Sequence, residues 1–103
     1  MEDIELKVNL VIKRFQEKGF AQVSDYNRFG YIKRTDKALV VSRENGEDTR
    51  IPLEKIKLAI QAVQKNNSVY DDGPSSLRKF GITHINSPVW ALIHLLSLSE
   101  IKA

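Results

Sequence analysis

The chain has no cysteine. That removes disulfides, thiol nucleophiles, iron–sulfur clusters and Cys-ligated zinc together, and it fits a reducing compartment. Only two histidines are present, His84 and His94, ten residues apart on a loop and a helix, and the pair does not match the typical spacing of zinc ligands. The five glycines (Gly19, Gly30, Gly46, Gly73, Gly81) stand singly, so there is no glycine-rich phosphate loop. No cofactor motif is present, and neither a cofactor nor a metal is expected. No apolar run approaches the ~20 residues that a bilayer-spanning helix needs. The first residues, Met1-Glu2-Asp3-Ile4-Glu5, are acidic, unlike a secretory signal or a transit peptide, and the expected location is the cytoplasm. Low-complexity segments and internal repeats are also missing.

Charge of one sign is scarce in net terms: 16 Lys and Arg against 13 Asp and Glu leave +3. The small excess permits an anionic partner without requiring one. Catalytic carboxylates are poorly placed. A metal nuclease site needs several acids and a lysine held on strands, whereas the acids here fall in turns and at the N-terminal helix. Asp71 and Asp72 precede Gly73-Pro74, first of all a turn and helix-start sequence. An enzyme stays open only if Tyr70, Asp71, Asp72 and His84 converge in a pocket.

What is present is one domain, residues 1–103, with enough apolar content for a single core. Glu2 to Lys18 reads as an amphipathic helix, because Ile4, Val8, Val11, Ile12 and Phe15 share one face. Gly19 stops it. Leu6 and Leu10 lie off that face, either as half-covered leucines or as part of a second contact surface. From Phe20 to Ile51 the period becomes two. Phe20–Ser24, Phe29–Arg34, Ala38–Arg43 and Thr49–Ile51 read as an antiparallel meander, with Asn45-Gly46 as a hairpin turn. Pro52 opens a helix running from Leu53 to about Gln64, and Pro74 opens a short helix that Gly81 closes. Ser87 to Leu98 is the most apolar stretch and holds the only Trp, with Ser87 as cap and Pro88 at the first helical position. Ser99–Ala103 is expected to fray, unless Ile101 extends the helix by a turn.

The fold class is therefore α+β: an N-terminal helix, a three- to four-stranded antiparallel meander, then three helices ending in a buried apolar helix. Val8, Val11, Phe15, Leu39, Val41, Ile56, Ile60, Trp90, Ile93 and Leu96 are the expected central cluster.

Two function classes follow. The first is a non-catalytic, nucleic-acid-binding module, for DNA or RNA, using Arg28, Tyr31, Lys33, Arg34, Lys37, Arg43 and Arg50 on the sheet and its turns, with Arg78 and Lys79 as an outlying pair. Strand parity puts Phe29, Tyr31 and Lys33 on one face, so an exposed Tyr31 beside Lys33 and Arg28 would make a stacking platform. If Leu39 and Val41 face the helices, Arg43 shares their side and lies at the strand end. A helix-turn-helix at the C-terminal end is disfavoured. The turn is too long, and between Ser87 and Ser99 there is no Arg, Lys, Asn or Gln to read base edges. The second class is a protein-interaction module or homodimer through the over-apolar last helix, with Leu6, Leu10, Trp90, His94 and Leu98 as interface residues. His94 is either a hydrogen-bonded interior histidine or a pH-sensitive contact.

Overall fold

The computed structural model describes residues 3–103; the expected helix start at Glu2 lies outside the described residues. Helix α1 spans Asp3–Lys18, with Asp3 and Glu5 in the first turn and Lys18 in the last, as the helix dipole favours. Gly19 takes φ +87° and donates its N–H to Phe15 O at 2.8 Å, closing the helix in a conformation that only glycine adopts freely. Four strands follow: β1 Phe20–Ala21, β2 Phe29–Arg34, β3 Ala38–Arg43 and β4 Thr49–Pro52. They form one antiparallel sheet in the order β1-β2-β3-β4. Then come α2 (Leu53–Lys65), two 3-10 helices (Asn67–Tyr70 and Pro74–Phe80), α3 (Asn86–Ile93) and α4 (Leu98–Lys102). The expected α+β architecture is the observed one, with a four-stranded meander.

All ten residues of the expected central cluster are buried. They come from α1, β3, α2 and α3 with the segment after it, and the strands add Ala21, Phe29 and Ile51. The helices gather on the side of the sheet that carries Ala21, Phe29, Leu39, Val41 and Ile51. Each fully buried aliphatic side chain there contributes about 1.5–3 kcal/mol relative to exposure. Trp90 is 4% exposed and its indole N–H donates to Val69 O at 3.0 Å, so the one buried polar atom of that ring is satisfied.

The last third of the chain departs from expectation. The apolar stretch is two helices, not one. α3 ends at Ile93, and Ser97 begins α4 with a capping box: Glu100 N donates to Ser97 Oγ at 3.2 Å and Ser97 N to Glu100 Oε1 at 2.8 Å. Ser87 makes no cap, because α3 starts two residues earlier, at Asn86 with Ile85 in the cap position, and Asn86 uses its side chain to donate to Pro74 O at 3.1 Å. The terminal residues are tied down instead of frayed. Ile101 is fully buried, Lys7 Nζ donates to the carbonyls of Ile101 and Ala103, and Gln64 donates to Ile101 O. Arg14 grips Glu100 with two nitrogens at 2.7 and 2.8 Å and also donates to Leu95 O at 2.7 Å. This guanidinium, helped by the backbone N–H of Ser97, holds the Glu100 carboxyl down at about 2.

The Asn45-Gly46 hairpin is also looser than expected. β3 stops at Arg43 and β4 starts at Thr49, so a five-residue loop, Glu44–Asp48, joins them, and Gly46 alone takes positive φ there. Arg43 Nε donates to Thr49 Oγ1 at 2.7 Å and closes the base of this loop.

Candidate nucleic-acid interface

The helices leave the second face of the sheet open. Its composition follows from register. Phe20 pairs with Gly30 and Gly30 with Ser42, giving one cross-strand row; Lys33 pairs with Val40 and Val40 with Arg50, giving another. Between them lies a β-bulge. Tyr31 pairs with Val41 and Lys33 with Val40, so Ile32 is the extra residue in β2. Ile32 is 41% exposed, and Lys33 and Arg50 are exposed as well.

The bulge overturns the simple parity of β2. Tyr31 does not share a face with Lys33. It lies on the helix side, edge-on to Phe15 with ring centroids 5.4 Å apart, and its hydroxyl accepts from Gln16 Nε2 at 3.2 Å. An exposed Tyr31 platform is therefore excluded, while Lys33 is moved onto the open face. The aromatic ring on that face is Phe20, half-buried at the end of the first row. Its ring carries the Arg28 guanidinium at 4.1 Å from the centroid and Lys18 Nζ at 4.9 Å. Arg28 is anchored through its backbone N–H, which donates to Glu44 Oε1 at 2.8 Å. Phe20 and Lys18 are the residues missed by reading the sequence. No local signal marks them, because their place depends on how the two-residue strand β1 pairs with β2.

Gly30 makes the middle of the first row shallow. A Cβ built there falls 2.5 Å from Ser42 Oγ, so the serine side chain occupies the space a larger residue would need. The strands carry Lys33, Arg34, Arg43 and Arg50 and no Asp or Glu; the neighbouring acids, Asp36, Glu44, Glu47 and Asp48, all sit in the turns.

The other expected basic residues are dispersed. Arg43 lies on the helix side, half-buried at the strand end as parity implied, 5.8 Å from the Phe29 centroid, and its hydrogen bond to Thr49 makes it structural. Arg34 pairs with Leu39 and borders a cleft of about 420 Å³ with Glu5, Asp36, Glu54 and Lys57, where acids offset it. Lys37 is exposed in the turn before β3, and its carbonyl accepts from Leu53 N at 2.8 Å. Arg78 and Lys79 are exposed on the 3-10 helix that packs on α2 and α3.

The expected protein interface loses its surface. Residues Val89 to Ile93 are all buried within the domain, so α3 leaves no apolar face over, and Trp90 is interior. Leu10 and Leu98 pack against the core, and Leu6, at 57% exposure, is a single surface leucine of an ordinary kind. His94 is a hydrogen-bonded, half-buried histidine. Its Nδ1 lies 2.8 Å from Trp90 O and its Nε2 2.8 Å from Tyr70 O, with its ring stacked 3.9 Å from that of Tyr70. Both carbonyl oxygens only accept, so a neutral ring donates to one of them and a doubly protonated ring to both.

The enzyme constellation is not assembled. Asp71, Asp72 and His84 are exposed, and the Tyr70 hydroxyl donates to Leu96 O at 2.7 Å. Burial, with Asp71 nearby, pushes the Tyr70 phenol above its ordinary value, which suits a structural donor. Among the described residues, no three His, Asp or Glu side chains gather to hold a metal ion, and no helix is long and apolar enough to cross a membrane.

Compared with protein-family models, curated proteins and solved structures, the chain finds no match in any of the three.

Proposed function

We propose that this domain is a non-catalytic nucleic-acid-binding module that uses the open face of its sheet. The observation that carries the proposal is a sheet whose strands hold no carboxylate, with Lys33 and Arg50 across Val40 on the open face and Lys18 and Arg28 gathered on Phe20 at its end, where Glu44 accepts from the Arg28 backbone. Phosphate backbones supply a regular array of negative charge, and cations on an open, shallow surface reach it without desolvating fully. The same charge disfavours a second copy stacked on this face, since a two-fold contact would set Lys33 and Arg50 against their own counterparts.

The test is binding of a labelled oligonucleotide as salt is varied. Up to four contacts on a single strand imply a slope of log affinity against log salt no steeper than about −3. Lys33→Ala and Arg50→Ala each flatten that slope by somewhat under one unit, while Arg78→Ala leaves it unchanged. Absence of binding at tens of micromolar protein in low salt refutes the proposal.

A further inference from the structure

The open face mixes its cations with apolar groups, and that mixture says more about the partner than charge alone. Phe20, Ile32 and Val40 lie among Arg28, Lys33 and Arg50, and the Gly30–Ser42 pair leaves a shallow stretch between Phe20 and Val40. Phosphates satisfy the cations and leave the apolar groups in water. Base faces are the parts of a nucleic acid that an apolar surface contacts favourably, and in a duplex they are stacked out of reach. A duplex major groove, ~12 Å wide, admits a helix or a two-stranded ribbon. This sheet has four strands, roughly 15 Å across at the usual strand spacing, and its exposed side chains lie on the broad face. Nor does the domain present a reading helix, because α3 is buried on all sides.

Resting on the nucleic-acid reading above, we infer that the partner is single-stranded, with unstacked bases laid across this face and one base seated at Phe20. The Phe20 ring and the guanidinium held 4.1 Å from its centroid form a two-layer platform, and bases stack on aromatic rings and guanidinium planes alike. Gly30 lies directly across from Phe20, and with the small Ser42 side chain filling the place of a Cβ there the row stays low beside the ring. Ser42, on the far side of Gly30, brings a hydroxyl within the same row, able to donate to or accept from a base edge. Lys33 and Arg50, in the next row, then meet the backbone on either side of Val40.

The experiment compares oligo-dT, oligo-U and a duplex of equal length for binding to the whole chain, and repeats the comparison with Phe20→Leu and Phe20→Trp. Leucine keeps the apolar bulk that covers the end of the sheet and removes the π face; tryptophan restores and enlarges it. The expected result is tighter binding of the single strands than of the duplex, a loss of roughly 5- to 150-fold for Phe20→Leu, and recovery in Phe20→Trp. Lys33 and Arg50 keep their share of the salt slope in both variants, and any flattening in Phe20→Leu reports the release of Arg28 and Lys18 from the ring. Thermal unfolding of each variant confirms that the fold is kept. Equal affinity for duplex and single strand, or a Phe20→Leu variant that binds like the parent, overturns this inference and leaves the broader nucleic-acid proposal standing. Absence of binding to all three probes overturns both.

Discussion

Ile101 is third from the end of the chain, where side chains are normally free, yet it is completely buried. Replacing it with alanine removes three carbon atoms from the core. At about 0.8 kcal/mol per buried methylene, the transfer contribution alone is roughly 2.4 kcal/mol. A residual cavity adds to this, and the observed range for such truncations is about 2–5 kcal/mol. α4 is short and terminal, so partial collapse is easy, and a value near the low end, about 2–3 kcal/mol, is expected. With a urea m-value of about 1–2 kcal/mol/M for a domain of this size, the midpoint falls by about 1–3 M while m stays constant. Urea unfolding followed through the fluorescence of Trp90 reads this directly. A loss under about 0.5 kcal/mol, the level of an ordinary surface substitution, would show that α4 does not dock and would refute the reasoning. Glu100→Gln serves as a control, since it weakens the Arg14 clamp without altering the packing of Ile101.

The clamp itself predicts acid sensitivity. The Glu100 carboxyl is depressed to about 2 in the folded state, so its contribution is present above the ordinary carboxylate value and lost as pH falls from about 4.5 towards 2. Melting temperature measured across that window should fall less steeply in Arg14→Gln than in the parent, and identical slopes would count against the pair. His94→Phe keeps a ring between Tyr70 and Trp90 but removes the imidazole N–H that serves the carbonyl of Trp90 or Tyr70; a loss of about 1–2 kcal/mol in chemical denaturation is expected, and no loss would mean that this hydrogen bond adds nothing to stability. Gly81 takes φ +84° with open space where a Cβ would sit, so Gly81→Ala should cost only backbone strain, about 1 kcal/mol, and a much larger value would point to a contact absent from this structure.

Much of the fold was legible because it is written in local periodicity. β2 and β3 begin and end where alternation of apolar and polar residues places them, and α1 buries the five residues that its 3.6-residue spacing selects. The C-terminal helices were harder. A run that is apolar but for His94 carries no clear period, so nothing in Leu92–Leu96 distinguishes one helix from two. The Ser97-x-x-Glu100 capping box was the available signal, outweighed by apolar composition. Anchoring of the terminus was not available at all, since Arg14, Lys7 and Gln64 lie far away in sequence.

The candidate interface divides in the same way. Composition alone assigns the basic surplus to the meander, and parity alone turns Arg43 towards the helices. One inserted residue then decides the rest. Ile32 shifts the register of β2, sending Lys33 to the open face and leaving Tyr31 against Phe15. A side-chain period of two makes a single-residue shift reverse every face beyond it. Whether the shift occurs depends on pairing with β3, which no stretch of β2 contains. Phe20 joins Arg28 and Lys18 for a similar reason: the short strand β1 acquires its facing only when it docks beside Gly30. Sequence thus determined the elements and the inner side of the sheet, where burial selects one register. Tertiary pairing decided the outer side, because no burial there constrains which side chains stand together.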